Sequence, residues 1–290
     1  MNKRLPLSPP SRHWILLYWI FFALFFLPLI LSHQIGLCLG LFIFSGVLFF
    51  IPTLLPNDSL FGPIITRFST KEKAVWLTFD DGPDPQDTPR ILDLLDYYQA
   101  KATFFVIGAK AKEHPHLIQE ILRRGHSIGN HTHSHPVSTF WIALPHQLRR
   151  ELSLCQQTIT QIAPLATPTL FRAPVGMINF FLHPILSEQK LTLVGWSARG
   201  FDTVADSPKK VVQRIWEKVS PGAIILLHEG ITPTQNGERM APQILERLLQ
   251  KLSQEHYQCL LPNKPKKSSS NHGYHGSHGF STSSESSENE

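Results

Sequence analysis

Cysteine is scarce in this chain. Three stand among 290 residues, and Cys38 falls in a long apolar run, so a disulfide framework is excluded. No basic stripe interleaved with aromatics is present. The formal net charge is a modest +5, part of it in the tails, which argues against a nucleic-acid partner. No segment repeats at a fixed period, so solenoids and arrays drop out. Apolar sequence, by contrast, is ample: 42% of residues are hydrophobic, enough for one sizeable core.

Those apolar residues are unevenly spread. Residues 14–31 (WILLYWIFFALFFLPLIL) and 35–55 (IGLCLGLFIFSGVLFFIPTLL) carry no formal charge. Each is close to the roughly 20 residues a helix needs to cross a bilayer. The link Ser32-His33-Gln34 suits a hairpin of two membrane helices, whereas a cleaved signal peptide would have a single apolar core of about 7–15 residues. The expected organisation is a basic segment over 1–13, two transmembrane helices over 14–55, a linker over 56–70, a body over 71–262 and a tail over 263–290. That Ser/His/Gly-rich tail has too few apolar residues to offset the entropy of ordering, so disorder is expected, with His272, His275 and His278 solvated rather than metal-bound. Lys3, Arg4 and Arg12 put the N-terminus in the cytoplasm by the positive-inside rule. Two crossings would keep the body on that side and one would place it outside; the sequence leaves the side open.

In the body, apolar β-rich runs alternate with helical patterns. Strands are expected over 74–79, 102–107, 126–131, 170–172, 191–196 and 223–228, and helices over 89–98, 116–124, 144–162, 208–219 and 240–254. Short links between alternating strands and helices indicate βα units around a parallel sheet. Asp80, His131, Arg172, Trp196 and His228 each fall at or just after the end of an expected strand. In parallel α/β folds those ends share one face, where chemistry is done.

The run VWLTFDDGPDPQDTP (75–89) drives an apolar strand into two adjacent carboxylates, which repel unless positive charge holds them. Alternation along a strand would point Asp80 and Asp81 to opposite sides, so one could bind an ion while the other addresses its water. Asp84 and Asp87 read as solvated loop acids. In GNHTHSHP (129–136), His131 and His135 at i and i+4 can meet one ion from a helical turn or compact loop, with His133 expected to point elsewhere though able to substitute as a ligand. Two imidazoles and a carboxylate leave coordination positions open for water. Arg172, after an apolar segment, can fix an ionised carboxylate. His228 ends a buried strand, where a neighbouring carboxylate would raise its pKa and suit it to act as an acid.

Together these motifs resemble the polysaccharide deacetylase family (the NodB-homology domain, carbohydrate esterase family four). Thr78-Phe79-Asp80-Asp81-Gly82 is its TFDDG motif and His131-Thr132-His133-Ser134-His135 its HTxSH-type motif. Arg172-Ala173-Pro174 and Leu226-Leu227-His228 follow in the family's order, over roughly 74–260. The resemblance implies an irregular (β/α) barrel, here preceded by the membrane helix hairpin. It implies Asp80 as catalytic base, Asp81, His131 and His135 as metal ligands, Arg172 as the group holding Asp80, and His228 as acid paired with Asp202. Substrate contacts would fall to Leu226 beside the acetyl methyl, the Val175 backbone N–H toward the oxyanion, Pro174 and Trp196. Val175, Arg199 and Thr203 depart from the family's pattern and bear on which glycan is chosen.

The implied reaction is metal-assisted removal of N-acetyl groups from aminosugars of peptidoglycan, a chitin-like glycan or another envelope polymer. The implied cofactor is a divalent ion, zinc foremost and other transition metals open. The expected partners are that N-acetylated glycan and a lipid bilayer, no protein partner being inferable, and the expected place is a bacterial plasma membrane. Three alternatives remain at this point: deacetylation of a lipid-linked sugar at the cytoplasmic face, a membrane-tethered glycan binder without catalysis, and a magnesium-carboxylate phosphatase.

Overall fold

The computed structural model describes residues 19–20, 23–24, 35–235 and 238–261. The basic segment 1–13, most of the first apolar run and the tail 263–290 lie outside the described residues. The second apolar run forms helix α1, Ile35–Phe50, 16 residues long, continued by a 3₁₀ turn, Ile51–Leu54. At 1.5 Å per residue such a helix reaches about 24 Å, short of a hydrocarbon core of about 30 Å. Among the described residues no helix is long and apolar enough to cross a membrane; the expected hairpin is not seen.

The body is a curled parallel sheet. Its strands are β1 (Ala74–Gly82), β2 (Ala102–Val106), β3 (Ser127–Asn130), β4 (Leu170–Phe171), β5 (Thr192–Leu193), β6 (Ala198–Arg199) and β7 (Ile224–His228). They are ordered β5-β4-β3-β2-β1-β7-β6, and every pairing along that path is parallel. Helices α2 (Asp87–Tyr97), α3 (Gly108–Glu113), α4 (Pro115–Arg123), α5 (Pro145–Ile162), α6 (Leu182–Glu188), α7 (Pro208–Trp216) and α8 (Met240–Gln254) connect them. A small antiparallel pair, β8 (Thr234–Gln235) and β9 (Glu238–Arg239), precedes α8, and β10 (Gln258–Cys259) pairs with the start of β1.

The end strands β5 and β6 do not pair with each other, so this is a half-barrel rather than a closed one. The stretch 56–70, expected as a linker, lies along the sheet instead: Ile65 bridges to Val194 and Arg67 to Ala223, and Phe61 is buried.

Alternation along the strands sorts the core. Val75, Leu77 and Phe79 join Phe104, Ile225 and Leu227 in a cluster with Ile91 and Leu95 of α2 and Leu245 and Leu248 of α8. Burying each such side chain contributes about 1.5–3 kcal/mol. On the opposite face Trp76, Phe105, Ile224 and Leu226 pack with Val194 and Trp196. Thr78, Asp80 and His228 continue that inner series by period two, and Asp80 stands in register with His228. The charged residues of the inner face therefore gather where the strands end, while Thr103 hydrogen-bonds both Ser127 and Trp76 near its base.

Candidate active site

β1 runs on through both acids, to Gly82. The ladder slips between Asp80 and Gly82, and Asp81 takes φ 71°, a left-handed turn rare for a residue with a side chain. This bulge corrects the expectation of opposite faces. Asp81 swings back so that both carboxylates approach His131 Nε2, Asp80 Oδ2 at 3.8 Å and Asp81 Oδ1 at 3.4 Å. Lys110 Nζ donates to the Asp81 carbonyl at 2.7 Å, tying down the bulged backbone.

Arg172 supplies the charge that two adjacent acids need. It is fully buried, stacked 4.2 Å over the Phe105 ring. Its Nη1 donates to Asp80 Oδ1 and to Thr78 Oγ1, each at 2.7 Å. Its Nε and Nη2 donate to the carbonyls of Val194 and Gly195. Burial pushes its pKa down while Asp80 pulls it back up. Held on four sides, the guanidinium fixes one oxygen of Asp80 and leaves the other for chemistry.

His131 and His135 sit on a compact loop, not a helical turn. Thr132 (φ 67°) and His135 (φ 53°) are both left-handed, and the Thr132 hydroxyl accepts the His135 N–H. His133 turns away, its Nδ1 beside the Gly108 backbone. The Arg172 carbonyl lies 2.8 Å from His131 Nδ1. A carbonyl only accepts, so Nδ1 carries a proton and Nε2 is the nitrogen turned toward Asp81, the one that can bind an ion once it is deprotonated.

These residues fit a metal ion. Asp81 Oδ1 is buried and accepts no hydrogen bond, lying 3.4 Å from His131 Nε2 and 3.1 Å from His135 Nε2. Tetrahedral arms of about 2.05 Å would set donors about 3.3 Å apart. Burial alone would raise the Asp81 carboxyl, but contact with His131 and the imidazoles of His135 and His228 hold it well below the usual range. Burial and the neighbouring His131 push His135 down to about 4, so it is neutral at physiological pH, as a ligand must be.

On the other side of Asp80, His228 Nδ1 lies 2.9 Å from Asp202 Oδ1, while Asp202 Oδ2 accepts the His228 backbone N–H at 2.8 Å. Burial lowers the imidazole's pKa, yet the charge and hydrogen bond of Asp202, with Asp80 and Asp81 behind, raise it to about 9. The ring is protonated at neutral pH and its Nε2 is left free to donate.

The four expected substrate contacts divide. Leu226, Pro174 and Trp196 are buried. Val175 is 42% exposed, with φ 50° inside the turn Pro174–Gly176, and no backbone partner takes its N–H. Gly176 could not be otherwise, since a Cβ there would meet the Trp196 ring at 2.4 Å.

Asp87, expected to be solvated, is 1% exposed and accepts the Gly230 N–H at 2.7 Å; Asp84 caps α2 by accepting the N–H groups of Gln86 and Asp87. With Thr88 they surround a residue the motifs did not single out. Glu229 is fully buried and hydrogen-bonded to Thr88, and its carboxylate occupies the space a Gly82 Cβ would fill. The signal for Thr78 was its inward position on β1. Lys110 and Glu229 left none, because what they touch lies on other strands and loops.

The polysaccharide deacetylase family model matches residues 68–194. The chain is 35% identical over 171 residues to a chitooligosaccharide deacetylase of Sinorhizobium fredii, covering 59% of this chain and 79% of that one. It is 31% identical over 198 residues to a peptidoglycan-N-acetylglucosamine deacetylase of Bacillus cereus, covering 68% and 89%. The crystal structure of a peptidoglycan N-acetylglucosamine deacetylase in complex with a benzamide ligand superposes with a TM-score of 0.61 at 29% identity, covering 67% of this chain and 88% of that one. Fold, motif order and relatives matched along most of their length agree: this chain is a hydrolase and belongs to the polysaccharide deacetylase family.

Proposed function

We propose that the chain removes N-acetyl groups from the aminosugars of an envelope glycan of the peptidoglycan or chitooligosaccharide type, releasing acetate. The observation that carries this reading is the pairing of Asp80 and His228. They face each other in register across β1 and β7, one fixed by a guanidinium and the other charged by Asp202, beside the Asp81, His131 and His135 set.

A divalent ion held by Asp81, His131 and His135, with zinc the first candidate, would polarise the amide carbonyl and lower the pKa of water. Asp80 takes the proton of the attacking water, its free oxygen held in place because Arg172 grips the other. The Val175 N–H donates toward the developing oxyanion. His228 gives its Nε2 proton to the leaving amine, and Asp202 keeps that ring charged and oriented. Leu226, Pro174 and Trp196 wall the acetyl pocket.

The proposed place of action is a bacterial envelope membrane. Leu37, Leu39, Phe42, Ile43, Phe44 and Val47 of α1 are all exposed, which favours a bilayer as their cover.

The test is acetate release by the purified chain from chitooligosaccharides and from peptidoglycan. Activity abolished by a chelator and restored by a divalent ion is expected, with Asp80→Asn at least about 100-fold slower. Release that persists in full after chelation would refute the role given to the three ligands.

A further inference from the structure

Arg199 takes no part in the chemistry above. It is the second residue of β6, in register with Leu226 of β7. Its neighbour Ala198 packs in the cluster on the helix side, so alternation turns Arg199 to the inner face, with Trp196, Leu226 and His228. There its guanidinium lies 5.6 Å from the Trp196 ring centroid and 4.0 Å from that of Phe201. Phe201 adopts φ 57°, a conformation unfavourable for a bulky residue, and remains 46% exposed. The turn thus spends backbone strain to lay a ring over this cation.

The Arg199 side chain makes no hydrogen bond or ion pair among the described residues. Burial pulls its pKa down and the field of Asp202 opposes that, but the hydrogen bonds of the Asp202 carboxylate go to His228 and none comes from Arg199. Aromatic rings cover a guanidinium's faces and leave the N–H fork in its plane unmet. That fork matches the paired oxygens of a carboxylate or phosphate. A half-buried cation with unused donors, on the same inner face as His228 and in register with the residue two before it, is half of a binding site.

We propose that Arg199 is an anion subsite of the active site, and that the preferred substrates are aminosugar glycans carrying a carboxylate or phosphate close to the reacting acetamido group. This rests on the deacetylase reading, and binding measurements keep the two separable.

The experiment uses the metal-loaded full chain and calorimetry with four ligands: N-acetylglucosaminyl-N-acetylmuramic acid, its lactyl methyl ester, N-acetylglucosamine 1-phosphate and diacetylchitobiose. The acid is expected to bind at least about tenfold more tightly than its ester, the scale of one charge-assisted contact. Arg199→Gln should erase that preference and leave diacetylchitobiose unchanged, while Arg199→Lys keeps part of it. Preference for the carboxylate or for the sugar phosphate supports the subsite and names its anion. No preference for either in the unmutated chain overturns the proposal without any variant needing to fold. So does equal weakening of neutral and anionic ligands in Arg199→Gln, which would make Arg199 only a brace for Phe201 and Trp196. If no ligand releases acetate the deacetylase reading falls, and the ratio of acid to ester still decides Arg199.

Discussion

Replacing Asp202 with asparagine isolates what sets the charge of His228. The ring is 20% exposed and Asp202 2%, so solvent screens their interaction little. Raising an imidazole from 6.5 to about 9 corresponds to about 3 kcal/mol in favour of the charged form. Because the raised value belongs to the cation, acid function is full below it and lost as pH climbs through about 9. Asparagine keeps one acceptor for the His228 backbone N–H but removes the charge. Burial then acts with less opposition, and the pKa returns to about 6.5 or lower. At pH 8 the protonated fraction falls from about 90% to about 3%, a loss of about 30-fold in kcat, while near pH 6 the variant recovers most of its rate. A cation at Asp81 lowers the pKa of His228 in both proteins, so the test lies in the separation of their alkaline limbs rather than in either absolute value. The assay is acetate release against pH for the two proteins. A uniform loss at every pH, with the alkaline limb unmoved, would refute the reasoning and leave Asp202 only an orienting role.

Removing a ligand should disconnect metal from activity: His135→Ala is expected to weaken metal binding by more than the roughly 10–100-fold typical of losing a supporting group, read by competition with a chromogenic chelator, and unchanged affinity would place the ion elsewhere. Glu229 gives a test in stability. Burial first, then Asp87 and Asp84, push its carboxyl up to about 8 against the hydrogen bond to Thr88, so the fold is favoured below about 4.5 and loses that advantage as pH rises through about 8, up to about 5 kcal/mol. Glu229→Gln should therefore melt higher than the unmutated chain at pH 9 but not at pH 5; an equal difference at both would refute an ionisation effect.

The parallel order of the main strands was legible because alternating apolar runs and helical stretches admit few topologies. Four other short elements were not. α3, α6, β6 and β10 are two to seven residues long, too brief for periodicity to emerge and held by contacts distant in sequence. The same limit explains Asp87. Seven positions from Asp80 in a polar run, it looks solvated, yet Gly230 from the far end of β7 closes over it.

What the sequence alone determined is the chemical inventory and its order: two acids after an apolar strand, two imidazoles four apart, a guanidinium and a histidine at later strand ends. Spacing and residue type were enough, because strand ends of a parallel sheet share one edge. What only the tertiary structure decided is geometry. The left-handed Asp81 turns a pair expected to face apart toward one imidazole. The Arg172 carbonyl fixes which nitrogen of His131 is free. Phe201 and Trp196 flank a cation whose side chain has no ion-pair or hydrogen-bond partner among the described residues. Each depends on backbone dihedrals and on neighbours tens of residues away in the chain, and local pattern carries neither.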